Sequence, residues 1–137
     1  MGEWAMQILF YLSSGIKSGN RLKQTLDEVL PGGNVEVFRQ VNGLIQRLRT
    51  PSSDLEILIL MPTNRLELSA MSTLLTDFRN VRLVLVLPDE EEETITIAHR
   101  MRPRFLTYSS GDYSELREVL MKMLKDSAKG ESGVDRR

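Results

Sequence analysis

Three stretches of the chain, residues 8–12 (ILFYL), 57–61 (ILILM) and 83–87 (LVLVL), are unbroken apolar runs. Five residues is short for a helix and ordinary for a strand. A strand that is apolar at every position, instead of every second one, must bury both of its faces. That condition is met at the centre of a parallel sheet covered by helices on each side. Such sheets bind ligands beyond the carboxyl ends of their strands. Here the runs give way to Ser13, Pro62 and Pro88, none of which is an acid or a base.

The segments between the runs carry helical spacing. Leu22, Leu26, Val29 and Leu30 fall at i, i+4, i+7 and i+8 and are stopped by Pro31-Gly32-Gly33. Residues 34–38 form a short strand with Val35 and Val37 alternating against Glu36. Val41, Leu44, Ile45 and Leu48 repeat the helical pattern, ended by Thr50-Pro51-Ser52-Ser53. Residues 54–61 make the second long strand, and Leu68, Met71, Leu75 and Phe78 mark a third helix with Asn80 as its C-cap. After the strand 81–87 the signals conflict. Glu91–Glu93 suit a helix N-terminus, while Thr94-Ile95-Thr96-Ile97 favours a strand; a helix is assigned. Residues 104–108 are a fifth strand, and Leu116, Val119, Leu120, Met123 and Leu124 form the last amphipathic helix.

Strict strand–helix alternation implies parallel strands with helices on both faces. Strands two and five carry polar residues (Glu36; Arg104 and Thr107) and belong at the edges, leaving the unbroken runs in the middle. The order 2-1-3-4-5 follows, that of a flavodoxin-like (βα)5 three-layer α/β sandwich. One domain spans residues 6–127, with flexible termini at 1–5 and 128–137.

A net charge of −1 gives no electrostatic footprint for nucleic acid. The absence of cysteine excludes disulfides, thiolate metal sites and a cysteine nucleophile. No apolar stretch reaches the ~20 residues of a membrane span. Met1-Gly2-Glu3-Trp4-Ala5-Met6 is neither a signal peptide nor a myristoylation site, since Met6 stands where Ser or Thr is needed. A cytoplasmic protein with no membrane association is expected.

The stretch Asp54-Leu55…Met61-Pro62-Thr63-Asn64-Arg65-Leu66-Glu67-Leu68 resembles the third strand and following loop of bacterial response-regulator receiver domains. Phe105-Leu106-Thr107-Tyr108-Ser109…Asp112…Glu115-Leu116 resembles the family's fifth strand and the opening of its last helix, and Ile8-Leu9-Phe10-Tyr11 its first strand. The resemblance covers about residues 6–126. Its departures fall on the chemistry. The family's paired metal-binding acids align with about Leu12 and Ser13, and its phosphoacceptor Asp with Leu58 or Ile59. Its Ser/Thr aligns near Leu87 or Pro88, and its Lys with Tyr108. Phosphoryl transfer would then lack both nucleophile and charge stabilisation. The resemblance implies a pseudo-receiver: a signalling module acting through protein contacts, with no cofactor, no metal and no catalysis. It also implies a homodimer through the helix 4–strand 5–helix 5 face, with Phe105, Tyr108 and Met121 as contact candidates. The identity of a protein partner is not encoded.

A second reading rests on the first loop. Ser13, Ser14, Gly15, Ser18, Gly19 and Asn20 resemble the phosphate loop of flavodoxins, where hydroxyls and backbone N–H groups wrap an anion. This implies binding of an anionic ligand or nucleotide cofactor, although no Trp or Tyr is placed to stack a flavin. The run Asp89–Glu93 reads as a solvated helix start, and His99, Arg100, Arg102 and Arg104 as a charged loop open to an acidic partner. No serine has a His or Asp placed to activate it as a nucleophile.

Overall fold

A computed structural model describes residues 6–13, 17–30, 35–50, 55–75 and 81–133. The three apolar runs become β1 (Met6–Leu12), β3 (Leu55–Met61) and β4 (Val81–Leu87), which pair side by side in parallel. The shorter β2 (Val35–Phe38) and β5 (Phe105–Tyr108) flank them, giving the order β2-β1-β3-β4-β5. The flavodoxin-like (βα)5 arrangement expected from the sequence is the one observed.

Alternate strand residues serve opposite faces. Ile8, Phe10, Ile57, Ile59, Val84 and Val86 pack against α1 (Lys17–Val29) and α5 (Ser114–Gly133). Leu9, Tyr11, Leu58, Leu60, Leu85 and Leu87 pack against α2 (Val41–Arg49), α3 (Arg65–Leu74) and α4 (Glu92–Arg100). Each such aliphatic side chain contributes about 1.5–3 kcal/mol by leaving water, so the two layers fix both strand order and strand facing.

The helix assigned where the signals conflict is present, while the ends of other elements differ from the sequence reading. The segment with conflicting signals is α4, because Thr94 and Ala98, four residues apart, are both buried on its inner side. Its first turn also carries Glu92 and Glu93, which complement the helix dipole. α3 ends at Leu74 with Leu75 as its C-cap; the expected continuation through Phe78 to Asn80 lies outside the described residues. β5 begins one residue after Arg104. Helical backbone in α5 extends to Gly133, through residues 128–133 where a flexible segment was expected.

At the amino ends of the strands, Arg47 of α2 ties three of them together. Its Nη2 donates to Gln7 Oε1 at 2.6 Å and to the Glu56 carboxylate, and its Nε donates to Glu36 Oε1 at 3.3 Å. Gln7 and Glu56 are register partners on β1 and β3, so one planar guanidinium meets both. Glu56 is only 6% exposed, and a carboxylate that deep needs a partner. Burial works against the charge on Arg47, but the hydrogen bond and charge of Glu56, then those of Glu36, outweigh it and raise its pKa above the usual value.

Arg47→Met leaves Glu56 buried without its cation. The expected cost is roughly 2–4 kcal/mol in urea unfolding, somewhat below that of a fully buried pair because Arg47 retains some solvent contact. Arg47→Met combined with Glu56→Leu should recover most of the loss, since the stranded charge is then gone.

Candidate functional site

In a 2-1-3-4-5 sheet the ligand crevice lies beyond the carboxyl ends of β1 and β3, where the chain leaves toward opposite faces. Tyr11 and Ser13, two residues apart, come off β1 on the same side, toward the start of α3. Glu67, in the first turn of α3, meets them there. Tyr11 Oη donates to Glu67 Oε2 at 2.8 Å, and Ser13 Oγ donates to Glu67 Oε1 at 2.9 Å. The backbone N–H of Thr63 donates to the same Oε1 at 2.7 Å. Ser13 has a single hydroxyl proton, so its 2.7 Å contact with Thr63 Oγ1 has Thr63 as the donor.

The local sequence explains why Glu67 turns inward. Asn64 is the N-cap of α3, its Oδ1 accepting from the N–H of Glu67 at 2.9 Å. An N-cap followed three residues later by Glu is the capping-box pattern. Here the carboxylate reaches one residue further back than usual, to the N–H of Thr63. That extra reach brings it over β1. The result joins two chain segments, residues 11–13 and 63–67, through one carboxylate.

This arrangement also perturbs Tyr11. Burial of the phenol, then its hydrogen bond to Glu67 and the nearby negative charge, push its pKa from 10 up to about 12. Further along the same edge, the Glu91 N–H holds the Asp89 carboxyl below its usual range, and Arg65 bridges α3 to the start of α4 by pairing with Glu93 at 2.5 Å. On the other face of the sheet, Arg21 donates to the carbonyl of Gly111 at 2.6 Å and lies 5.1 Å from the centre of the Tyr113 ring. The N–H of Ser114, followed by its hydroxyl, lowers the Asp112 pKa at the start of α5.

A magnesium site needs one or two carboxylates free to hold a hydrated ion. The residues aligned with the receiver acids do not provide it. Leu12 and Ile59 belong to the core, and Leu58 is 2% exposed in the opposite layer. Glu67 already accepts three hydrogen bonds. Among the described residues no group of three or more His, Asp or Glu stands together as metal ligands. Positions 12, 58 and 59 therefore supply no carboxylate to this edge.

The described first-loop candidates belong to different elements. Ser13 is committed to Glu67 and Thr63, while Ser14 and Gly15 lie outside the described residues. α1 starts at Lys17, so Ser18, Gly19 and Asn20 sit in its first turn and not in a loop. Of the contact candidates, Phe105 is half-buried against the α1/α5 layer and Tyr108 against the α2–α4 layer. Met121 is half exposed on α5. Glu67 lies in a helix beyond the residues that immediately follow the strands, and its one signal in the sequence is the spacing Asn64-Arg65-Leu66-Glu67.

Comparison with family models, with curated proteins and with solved structures yields no match to this chain. Its functional reading therefore rests on its own residues.

Ultraviolet titration should show one of the three tyrosines ionising near pH 12, and Tyr11→Phe should remove that phase. Because the folded state holds this proton more tightly than the unfolded chain, the associated stability is complete below about pH 10 and is lost as the pH rises toward 12. Glu67→Gln should lower the Tyr11 pKa only part of the way, since burial persists. An unchanged titration in Tyr11→Phe would contradict the assignment.

Proposed function

We propose that this chain is a receiver-like regulatory module that acts through protein–protein contact and is not phosphorylated. The observation that carries this reading is the substitution at the switch point: a closed network of Tyr11, Ser13, Thr63 and Glu67 stands where a receiver keeps its metal-binding acids. The receiver-like sequence of β3 and its following loop supports the same kinship. A module of this kind would operate in the cytoplasm and bind its partner by surface contact.

The anion-loop reading is less well supported. An anion on Ser13 would have to displace a carboxylate already hydrogen-bonded there, and Glu67 would repel it. Arg21 of α1 is turned toward Gly111 and Tyr113.

For self-association, the α4–β5–α5 side offers Met121 and the outer edge of β5, which pairs with β4 on its inner side. A thioether chain on an exposed helix face adapts readily to a partner surface.

Two measurements test the proposal. Incubation with acetyl phosphate and magnesium, followed by intact mass analysis, should give no added phosphoryl group; phosphorylation of an Asp or Glu would overturn it. Sedimentation should return a dimer that Met121→Glu converts to monomer, and a monomer at all concentrations would remove the self-association part.

A further inference from the structure

At the opposite end of the sheet from Glu67, α3 and α4 both terminate over the amino-terminal half of β4. Leu58, Leu60, Val81 and Leu83 there line a cavity of about 650 Å³ between the two helix ends. That volume is in the range of small-molecule sites, roughly 300–1,000 Å³. Arg100, Arg102 and Arg104 also line it. All three are exposed, and among the described residues none of their side chains forms a hydrogen bond or ion pair. No Asp or Glu is among the described lining residues.

Two opposing fields meet in this cavity. Each helix C-terminus contributes about half a negative charge, whereas the guanidiniums contribute three positive ones, leaving a net of roughly +2. The backbone sets where those charges stand. Arg102 has φ of 56°, in the left-handed region that a non-glycine residue occupies at a cost. The N–H of Arg102 donates to the His99 carbonyl at 3.1 Å, and the N–H of Arg104 donates to the Leu83 carbonyl at 2.7 Å. The connection from α4 to β5 is thereby pinned to the cavity wall, and its arginines are held beside an apolar floor. Guanidinium forks match the paired oxygens of carboxylate, phosphate and sulfonate groups.

We propose that this cavity binds a small organic anion with an apolar body, its charged group on Arg100, Arg102 and Arg104 and its body on the half-buried Leu75, Val81, Leu83 and Met101. The site is independent of the receiver-like reading, because it shares no residue with the switch-point network.

The test uses anilinonaphthalene sulfonate, a fluorescent anion of this shape, titrated into the full chain with backbone amide shifts recorded in parallel. Saturable binding of one probe per chain is expected, with shifts centred on Leu75, Val81–Leu83 and Arg100–Arg104. Arg100→Gln and Arg104→Gln should each weaken binding about tenfold or more, while Arg117→Gln on α5 should not. Arg102→Gly is the sharpest variant. Glycine tolerates this φ, so the thermal midpoint should rise while affinity falls. Inorganic phosphate should compete only weakly, since it lacks the apolar body. Shifts centred elsewhere, affinity unmoved by the three arginine substitutions, or phosphate competing as tightly as the probe would each overturn the proposal. So would a concentration-dependent doubling of mass abolished by the same substitutions, which would instead place the acidic run Asp89–Glu93 of a second copy in the cavity.

Discussion

Burial of both faces of the sheet is the condition on which the rest of the molecule depends. It requires apolar side chains throughout the interior of β1, β3 and β4, because a polar group there would lose water without gaining a partner. Leu58 and Ile59 are products of that requirement, packed into opposite layers at 2% and 0% exposure. Polar interactions are displaced to the strand ends. The two most extensive side-chain networks described above lie there, one at each end of the sheet.

Both networks are built the same way, by a helical residue reaching back over the strands it follows or precedes. Arg47, in the last turn of α2, crosses the amino ends of β1, β2 and β3. Glu67, in the first turn of α3, crosses the carboxyl end of β1 and fastens the loop after β3. Their energetic characters differ. Arg47 offsets the desolvation of a nearly buried carboxylate, and its value lies mostly in what its removal would expose. Glu67 collects donors that a turn and a helix start would otherwise present to solvent, in the manner of an extended cap.

The fold was legible because two periods alternate along the chain: continuous apolar runs for central strands and 3.6-residue spacing for helices. Where β-branched residues argued for a strand, at Thr94-Ile95-Thr96-Ile97, tertiary packing of Thr94 and Ala98 prevailed over local propensity. The absence of acids at positions 12, 58 and 59 was also legible, since Leu12, Leu58 and Ile59 could be read directly. What stands in their place was not. Glu67 lies more than fifty positions from Tyr11 and Ser13, and only the three-dimensional meeting of β1 with α3 shows that they form a unit. The arginine-rimmed cavity was hidden for a related reason. Its existence depends on where two helices stop, and helix ends are the part of a periodic pattern that the sequence marks least sharply.

The Glu67 network has a consequence for how this sequence can change. The Tyr11 hydroxyl sits on a side chain that is only 4% exposed, and Glu67 is the acceptor that meets it. Loss of the carboxylate would leave that hydroxyl without its acceptor; loss of Tyr11 or Ser13 would remove a donor from the carboxylate. Residues coupled in this way do not substitute independently. Positions 11, 13 and 67 therefore behave as one character under mutation, and any lineage that carries the network should exchange its members together or keep them all.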